Sequence, residues 1–439
     1  MKRLFSILGV IMLLLTSCGG GGRDALLSTI PSDTRFCVVI DLNRMSSKLD
    51  EQAKATLKDF VDKAAANGKR GADLFGDDSQ VDFSVPMILF EYHNSTLLTF
   101  RIKNEDKFRK SVEENDGVSF SNTGAILASD DDKIFIDGKQ VWISLAYPNP
   151  EAADIAVLSQ LKKDDSVLGL ECASQLGSDD DISGLVNIDK SLQDSWNRSY
   201  RMALNMAFDD PAFLVWHTDF KKDKMESEIT VVNYKGKPAP FALKTSKINT
   251  DKLSKFTGRG NLFGAISLDS DLVRNLIKQI RGFTSLAPDQ EEMLMSLDGN
   301  VAFSAYLNDV NSSPEYLTLM LTFKNKDAAR KAADLMTDNF GNPEDMKIFT
   351  DDNRLYMMTA AQKGEQISSV ISDFKNANIA IAITPEFGTA FNGSANQNFD
   401  GASLRLTDNG DGVKILIDLK SKGDSNSLSS LIKTLLGNL

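Results

Sequence analysis

Two histidines, His93 and His217, are the only side chains in this 439-residue sequence with an ordinary pKa suited to general-base work near neutral pH. His93 falls in a predicted turn and His217 in a predicted strand beside Trp216. There is no His-x-x-x-His spacing and no Cys pair near either, so the ligand pattern of a zinc site is absent. A serine nucleophile would need an elbow such as Gly-x-Ser-x-Gly, and the sequence has none. Ser430-Leu431-Ile432-Lys433 fits Ser-x-x-Lys but stands in a predicted terminal helix without the companion motifs. Gly258-Arg259-Gly260-Asn261-Leu262-Phe263-Gly264 is as glycine-rich as a phosphate loop, yet it precedes a strand where a dinucleotide site lies between strand and helix. Asp130-Asp131-Asp132, Asp179-Asp180-Asp181 and Asp408-Asn409-Gly410-Asp411-Gly412 offer oxygen ligands for calcium. None has EF-hand spacing, and Leu419 stands where the closing Glu of the last would fall, so solvated loop acids are the simpler reading. No catalytic, metal or cofactor-binding residue is therefore assigned, and the expectation is a protein that is not an enzyme.

Aromatic usage is the next source of recognition chemistry. With 25 Phe against 3 Trp and 7 Tyr, the chain favours core filling over the polar-edged rings used as sugar platforms. Trp142, Trp196 and Trp216 are the candidates for such a platform, and burial is the commoner fate of each.

The most specific chemistry lies in Leu15-Thr16-Ser17-Cys18. Lys2 and Arg3 precede an apolar run over residues 4–15 that is shorter than the roughly 20 residues of a membrane span. This layout resembles an export signal ending in a bacterial lipobox. The resemblance implies cleavage before Cys18, thioether lipidation of that residue, and membrane attachment through the lipid. Gly19-Gly20-Gly21-Gly22 would form a flexible leash. The leash lacks the acidic residues that resemble a surface-export tag of Bacteroidota lipoproteins, which favours the periplasm-facing side of the outer membrane over the cell surface.

Formal net charge is −12, and loss of Lys2 and Arg3 with the signal makes it more negative still. An acidic chain without a basic cluster does not bind nucleic acid, which requires Lys and Arg to neutralise phosphates. Besides Cys18 there are Cys37 and Cys172, both in apolar, strand-like surroundings. They could pair in an oxidising envelope or remain two separate buried thiols; their spacing matches no disulfide framework, which favours the thiols.

The elements needed to position these groups follow from hydrophobic period. Residues 36–42 form a β-branched run expected to be a buried strand, and Leu49, Ala53, Leu57, Phe60, Val61 and Ala64 recur at helical spacing. Residues 87–92 and 97–102 flank His93-Asn94-Ser95-Thr96 as a hairpin. Second hairpins are expected around Asp137-Gly138 and Asp351-Asp352-Asn353, helices over residues 157–161 and 370–374, strands over 167–170 and 379–383, an extra strand at 185–188, and a helix through Trp196, Tyr200, Leu204 and Met206. A closing hairpin is expected from residues 213–220 and 225–232, and an amphipathic helix through Leu428, Leu431, Ile432 and Leu435.

The Ile30-Pro31-Ser32-Asp33 opening, the strand ending near Asp41-Leu42-Asn43, Val81-Asp82-Phe83 before Pro86, and the lipobox together resemble an uncharacterised lipoprotein family of Bacteroidota, defined only as a domain of unknown function. The resemblance implies an envelope lipoprotein of two related halves and supplies no catalytic residues.

An internal match points the same way. Leu98-Thr99-Phe100-Arg101-Ile102-Lys103-Asn104-Glu105-Asp106 aligns with Leu319-Met320-Leu321-Thr322-Phe323-Lys324-Asn325-Lys326-Asp327. Lys133-Ile134-Phe135 with Lys347-Ile348-Phe349, and Ile40-Asp41-Leu42 with Ile266-Ser267-Leu268, follow in the same order, which argues for duplication. Asn104, Asp106, Asn325 and Asp327 sit at strand-to-helix junctions, where capping is a better explanation than a ligand site.

The expected class is α+β: two homologous halves of antiparallel sheet, built from hairpins, with helices packed on one face. The expected division is signal 1–17, lipidated Cys and leash 18–28, first domain 29–234, linker 235–257 around Pro238 and Pro240, and second domain 258–439. The expected role is a non-catalytic binding or structural module with an unidentified envelope protein or polymer as partner. An envelope hydrolase using paired carboxylates and a glycan- or peptide-capturing lipoprotein are the alternatives.

Overall fold

A computed structural model describes residues 22–66, 80–124, 126–131, 133–177, 179–192, 198–241, 245–280, 287–308, 313–340, 346–387, 399–408, 412–423 and 426–436. Cys18 and Trp196 lie outside them. The chain forms two compact units, the second being Pro240–Lys422 and the first the remainder.

In the first unit α1 (Arg23–Leu27) leads to β1 (Phe36–Ile40), α2 (Leu42–Ser47), α3 (Glu51–Ala66), β2 (Met87–Tyr92), β3 (Ser95–Arg101) and α4 (Glu105–Asp116). Next come β4 (Phe120–Asn122), β5 (Leu127–Ser129), β6 (Ile134–Asp137), β7 (Gln140–Ser144), α5 (Ala152–Leu158), β8 (Ile182–Asn187), α6 (Ile188–Ser191), α7 (Arg198–Ala207), β9 (Phe213–Phe220) and β10 (Lys224–Val232). Their antiparallel pairings run in the order β10-β9-β8-β1-β2-β3-β7-β6-β5-β4.

The second unit contains α8 (Thr250–Leu253), β11 (Arg259–Gly260), β12 (Leu262–Leu268), α9 (Ser270–Ile280), α10 (Pro288–Met295), β13 (Leu297–Tyr306), β14 (Tyr316–Phe323) and α11 (Lys326–Phe340). It continues with β15 (Met346–Asp351), β16 (Arg354–Thr359), β17 (Glu365–Gln366), β18 (Ile379–Ile383), β19 (Phe399–Asp408) and β20 (Val413–Ser421). Here the antiparallel order is β20-β19-β18-β12-β13-β14-β16-β15, with β11 and β17 paired separately. The mixed helix and antiparallel-sheet class is as expected.

Helices on one face only are not what the strands support. In the first unit Ile40, Leu98 and Phe100 pack under α2, α3 and α4, while Cys37, Val39, Leu97 and Trp142 pack on the opposite face with α1 and α5. The second unit likewise has a core on each face, one around Phe263, Met320 and Tyr356 and the other around Phe323, Leu355 and Ala329 of α11. The reason is visible in runs such as Phe36-Cys37-Val38-Val39-Ile40, which carry apolar side chains to both sides of the pleat and so require cover on both.

The division also differs at its ends. The fold begins before residue 29, because Leu26 and Leu27 of α1 are fully buried. Residues assigned to a linker are core: Ile248, Leu253 and Phe256 are buried in the second unit, so the boundary narrows to Ala239 and Pro240. The terminal helix α12 (Ser427–Leu436) belongs to the first unit, where Leu428 and Ile432 join Ala53 and Leu57 of α3. Residues 167–170 are 3-10 turns and not a strand. Local bonds from Gly169 N to Ser166 O and from Leu170 N to Val167 O use the groups a ladder would need. The strand thought to be extra is instead β8, which sits between β1 and β9.

Hairpin and cap positions follow the sequence closely. His93 and Asn94 both have positive φ, 47° and 65°, the requirement of a type I′ two-residue turn. Asn104 accepts from Lys107 N and Asn325 from Ala328 N, each at 2.9 Å, so both junction residues act as helix caps.

Candidate functional site

The end of the first unit's sheet where β2 stops and β1 and β3 start forms a recess of about 210 Å³, lined by Asp33, Arg35, Glu91, Tyr92, His93, Asn94 and Lys190 among others. Thr34, itself buried, fixes this corner: its hydroxyl lies 2.6 Å from Glu91 O and 2.9 Å from Phe36 O, so it can bridge β2 to the start of β1. Asn187 N bonds to Arg35 O at 2.9 Å, and the Asn187 side chain caps α6 by accepting from Lys190 N, which sets Lys190 beside the recess. The tight turn delivers His93, whose ring stacks on Tyr92 with centroids 4.0 Å apart.

Charge in the recess is matched. Arg35 Nη2 lies 3.5 Å from Glu91 Oε1 and Lys190 Nζ 3.2 Å from Asp33 Oδ2. Asp154 of α5 approaches His93 Nδ1 to 4.0 Å. Burial pushes the Tyr92 phenol upward, and the Asp154 and Asp33 charges add to that shift. The result is an open, polar hollow with two cations, two carboxylates, an amide and an aromatic face.

The three tryptophans divide. Trp142 is fully buried between Phe135 and Thr99 on neighbouring strands and is a core residue, not a platform. A tryptophan in the middle of a strand covered on both faces has no route to solvent. Trp216 is half-buried, its ring lying over Gly184, where a Cβ would come within 2.3 Å of it. The exposed rings that sequence reasoning missed are Tyr147, which is 92 % exposed, and Tyr200 and Tyr234. Pro148 and Pro150, flanking an Asn beside Tyr147, were the available signal for an exposed turn.

A Ser, a His and an Asp stand near one another, Ser183 on β8, His217 on β9 and Asp180 just before β8. His217 Nδ1 lies 2.6 Å from Asp180 Oδ2, and Ser183 stands opposite His217 in the strand register. The Ser183 hydroxyl is buried without a hydrogen-bond partner among the described residues, enclosed near Gly177 and Val39. A nucleophile must reach a substrate carbonyl, and this one is shut into the sheet face.

Two acids of the run Asp179-Asp180-Asp181 have internal partners, while Asp179 is exposed. Asp180 holds His217, while Asp181, with no exposed surface, receives Lys48 Nζ at 2.5 Å, Phe220 N at 2.6 Å and the Arg44 guanidinium at 3.3 Å. Burial pushes the Asp181 carboxyl upward, opposed by Lys48 and the Phe220 amide. In the second acidic run Asp131 binds Ser129 and Lys133. Asp132, and residues 409–411 of the third run, lie outside the described residues. Among the described residues no group of three or more His, Cys, Asp or Glu is placed to hold a metal ion. Cys37 and Cys172 are free thiols buried in the same core and do not form a disulfide.

A groove of about 570 Å³ lies between α10 and α11, bordered by Asp289, Glu292, Asp327, Asp334 and Asp338, with Lys331 as its cation. Its chemistry is that of a solvated acidic helix surface. No described helix is long and apolar enough to cross a membrane.

The site and fold define an α+β protein with a polar surface recess. Comparisons with protein-family profiles, curated proteins and solved structures give no match to this chain.

Proposed function

We propose that the chain is a lipoprotein of a bacterial outer membrane, anchored through Cys18 and facing the periplasm, that binds an envelope component and does not catalyse a reaction. The lipobox and the resemblance to a Bacteroidota lipoprotein family support the location. The two units would be copies of one domain. In support, β10-β9-β8-β1-β2-β3-β7-β6 corresponds strand for strand with β20-β19-β18-β12-β13-β14-β16-β15, and the matched sequence segments fall on corresponding strands.

The observation that carries the binding reading is the recess around Arg35, Glu91 and the Tyr92–His93 stack. Its volume of about 210 Å³ lies below the roughly 300–1,000 Å³ of pockets that take drug-sized ligands, which suits one sugar ring of a larger polymer. A ring face for stacking beside paired carboxylate, guanidinium and amide groups is the chemistry that recognises vicinal hydroxyls. Saturation-transfer NMR with envelope monosaccharides and disaccharides tests this. Transfer that is lost in Arg35→Ala and His93→Ala supports the reading, and no transfer from any sugar removes it. Hydrolysis of a chromogenic glycoside, abolished by Glu91→Gln, would favour the competing hydrolase reading. For the anchor, fatty-acid labelling should vanish in Cys18→Ala; labelling that persists would show the lipobox reading to be wrong.

A further inference from the structure

Among the described residues β15 is the outermost strand of the second unit, paired with β16 alone, and Lys347, Phe349, Thr350 and Asp351 are exposed. In the first unit the strand in the corresponding place, β6, is not an edge. There β5 pairs with it, Leu127 opposite Ile136 and Ala128 opposite Phe135, and β4 pairs with β5. That cover comes from the chain between α4 and β6, whereas only residues 341–345 separate α11 from β15. An uncovered edge is a template for another strand.

The hairpin fixes which groups face outward. Asp351 and Arg354 flank a two-residue turn and so form a hydrogen-bonded pair, as do Phe349 with Tyr356 and Lys347 with Met358. The N–H and C=O groups of Met346, Ile348 and Thr350 therefore point away from β16.

We propose that this edge pairs antiparallel with the same edge of a second copy of the chain, centred on Phe349. In that register Ile348 of one copy and Thr350 of the other exchange backbone hydrogen bonds. Phe349 meets Phe349, and Lys347 meets Asp351, in the closely spaced non-hydrogen-bonded positions. Two-fold symmetry makes each Lys347–Asp351 contact twice, so the edge is complementary to itself in charge. The Phe349 ring, 40 % exposed, already stacks on Tyr356 at 5.1 Å and 10°, and the second copy would cover its free face. The Asp351 carboxylate meets Arg354 within its own chain and is still 60 % exposed, leaving room for a further cation. Moving the two-fold centre from Phe349 to Ile348, a two-residue slip in register, would set Lys347 against Phe349 and lose the match.

Sedimentation velocity of the full chain over a hundredfold concentration range tests this. A monomer–dimer equilibrium is expected. Thr350→Pro removes an outward N–H while leaving the β16 pairing intact, so the chain should become monomeric with unchanged circular dichroism and melting. Lys347→Asp opposes two like-charged pairs and should weaken the dimer about tenfold, and adding Asp351→Lys should restore it. A chain that is monomeric throughout, a dimer that survives Thr350→Pro, or a monomer that takes an unrelated extended peptide at this edge would each overturn the proposal. The outcome does not depend on the ligand recess.

Discussion

Lys433 Nζ, on the last helix of the chain, lies 2.8 Å from Asp50 Oδ2 at the start of α3. Asp50 Oδ1 accepts from Ala53 N at 2.8 Å, and the Ser429 hydroxyl oxygen accepts from Asp50 N at 2.9 Å. One carboxylate thus caps α3 and ties α12 to it. Burial pushes this carboxyl up, but hydrogen bonds from Lys433 and Ala53 and the Lys433 charge outweigh it, and the net direction is downward. A depressed Asp stabilises the fold above its ordinary value of 3.8 and loses that contribution as pH falls through the folded value. Lys433→Met should therefore cost about 0.5–1 kcal/mol at neutral pH, after allowance for solvent screening. Urea unfolding at pH 7 and at pH 2 checks this; the difference between variant and parent should be smaller at the second, as the carboxyl approaches protonation.

The buried thiols give a second expectation. Burial pushes Cys172 up to about 11 and Cys37 higher still, with Cys172 adding to the shift on Cys37. Thiolate is the reactive form, so neither residue should be alkylated by iodoacetamide at pH 8 in the folded protein, and both should be in urea. Mass spectrometry of the alkylated chain reads this directly, and a native Cys37–Cys172 disulfide would show as a pair that labels only after reduction.

Trp142 should behave as core. Trp142→Ala is expected to cost about 3–5 kcal/mol. Its indole N–H has no hydrogen-bond partner among the described residues, so Trp142→Phe leaves no acceptor stranded and should cost less than about 1.5 kcal/mol. Chemical denaturation of the two variants separates these outcomes, and sugar binding should be unchanged in Trp142→Phe.

Ser183 should be inert. A fluorophosphonate probe is expected to leave it unmodified, because its hydroxyl is enclosed although His217 and Asp180 stand beside it. Mass shift of the peptide containing Ser183 is the measurement, and labelling that disappears in His217→Ala would show a working nucleophile.

The proposed leash would be shorter than its composition suggests. Gly22 packs against Val85, and α1 follows at once, so a tether starting at Cys18 would reach over only a few residues at no more than about 3.5 Å each. Inserting ten Gly-Ser residues after Gly21 should leave the melting temperature unchanged, whereas Leu26→Ala should cost about 2–5 kcal/mol because Leu26 is part of the core.

Periodicity and turn chemistry made much of the architecture legible. Positions 213–220 were readable as a strand because the apolar, aromatic-rich run Phe213-Leu214-Val215-Trp216 leads to Phe220 just before the polar Lys221-Lys222-Asp223 turn, and Asn104 and Asn325 declared two helix starts through their capping chemistry. Residues 167–170 misled for the same reason: four apolar residues fit a strand and a buried turn equally well, and only a partner strand distinguishes them. The recess was not legible, because Arg35, the Glu91–His93 hairpin and Lys190 are three segments far apart in the chain that share no spacing.

Local physics is what the sequence by itself determined: where most strands run, where helices are capped and which turns need positive φ. These depend on neighbours a few positions away. Tertiary structure alone decided that both sheet faces are covered, that α12 returns to the first unit, that Trp142 is core, and that Ser183, His217 and Asp180 stand near one another without access. Each of those outcomes depends on which distant surfaces exclude water from one another, and that is fixed only when the whole chain has packed.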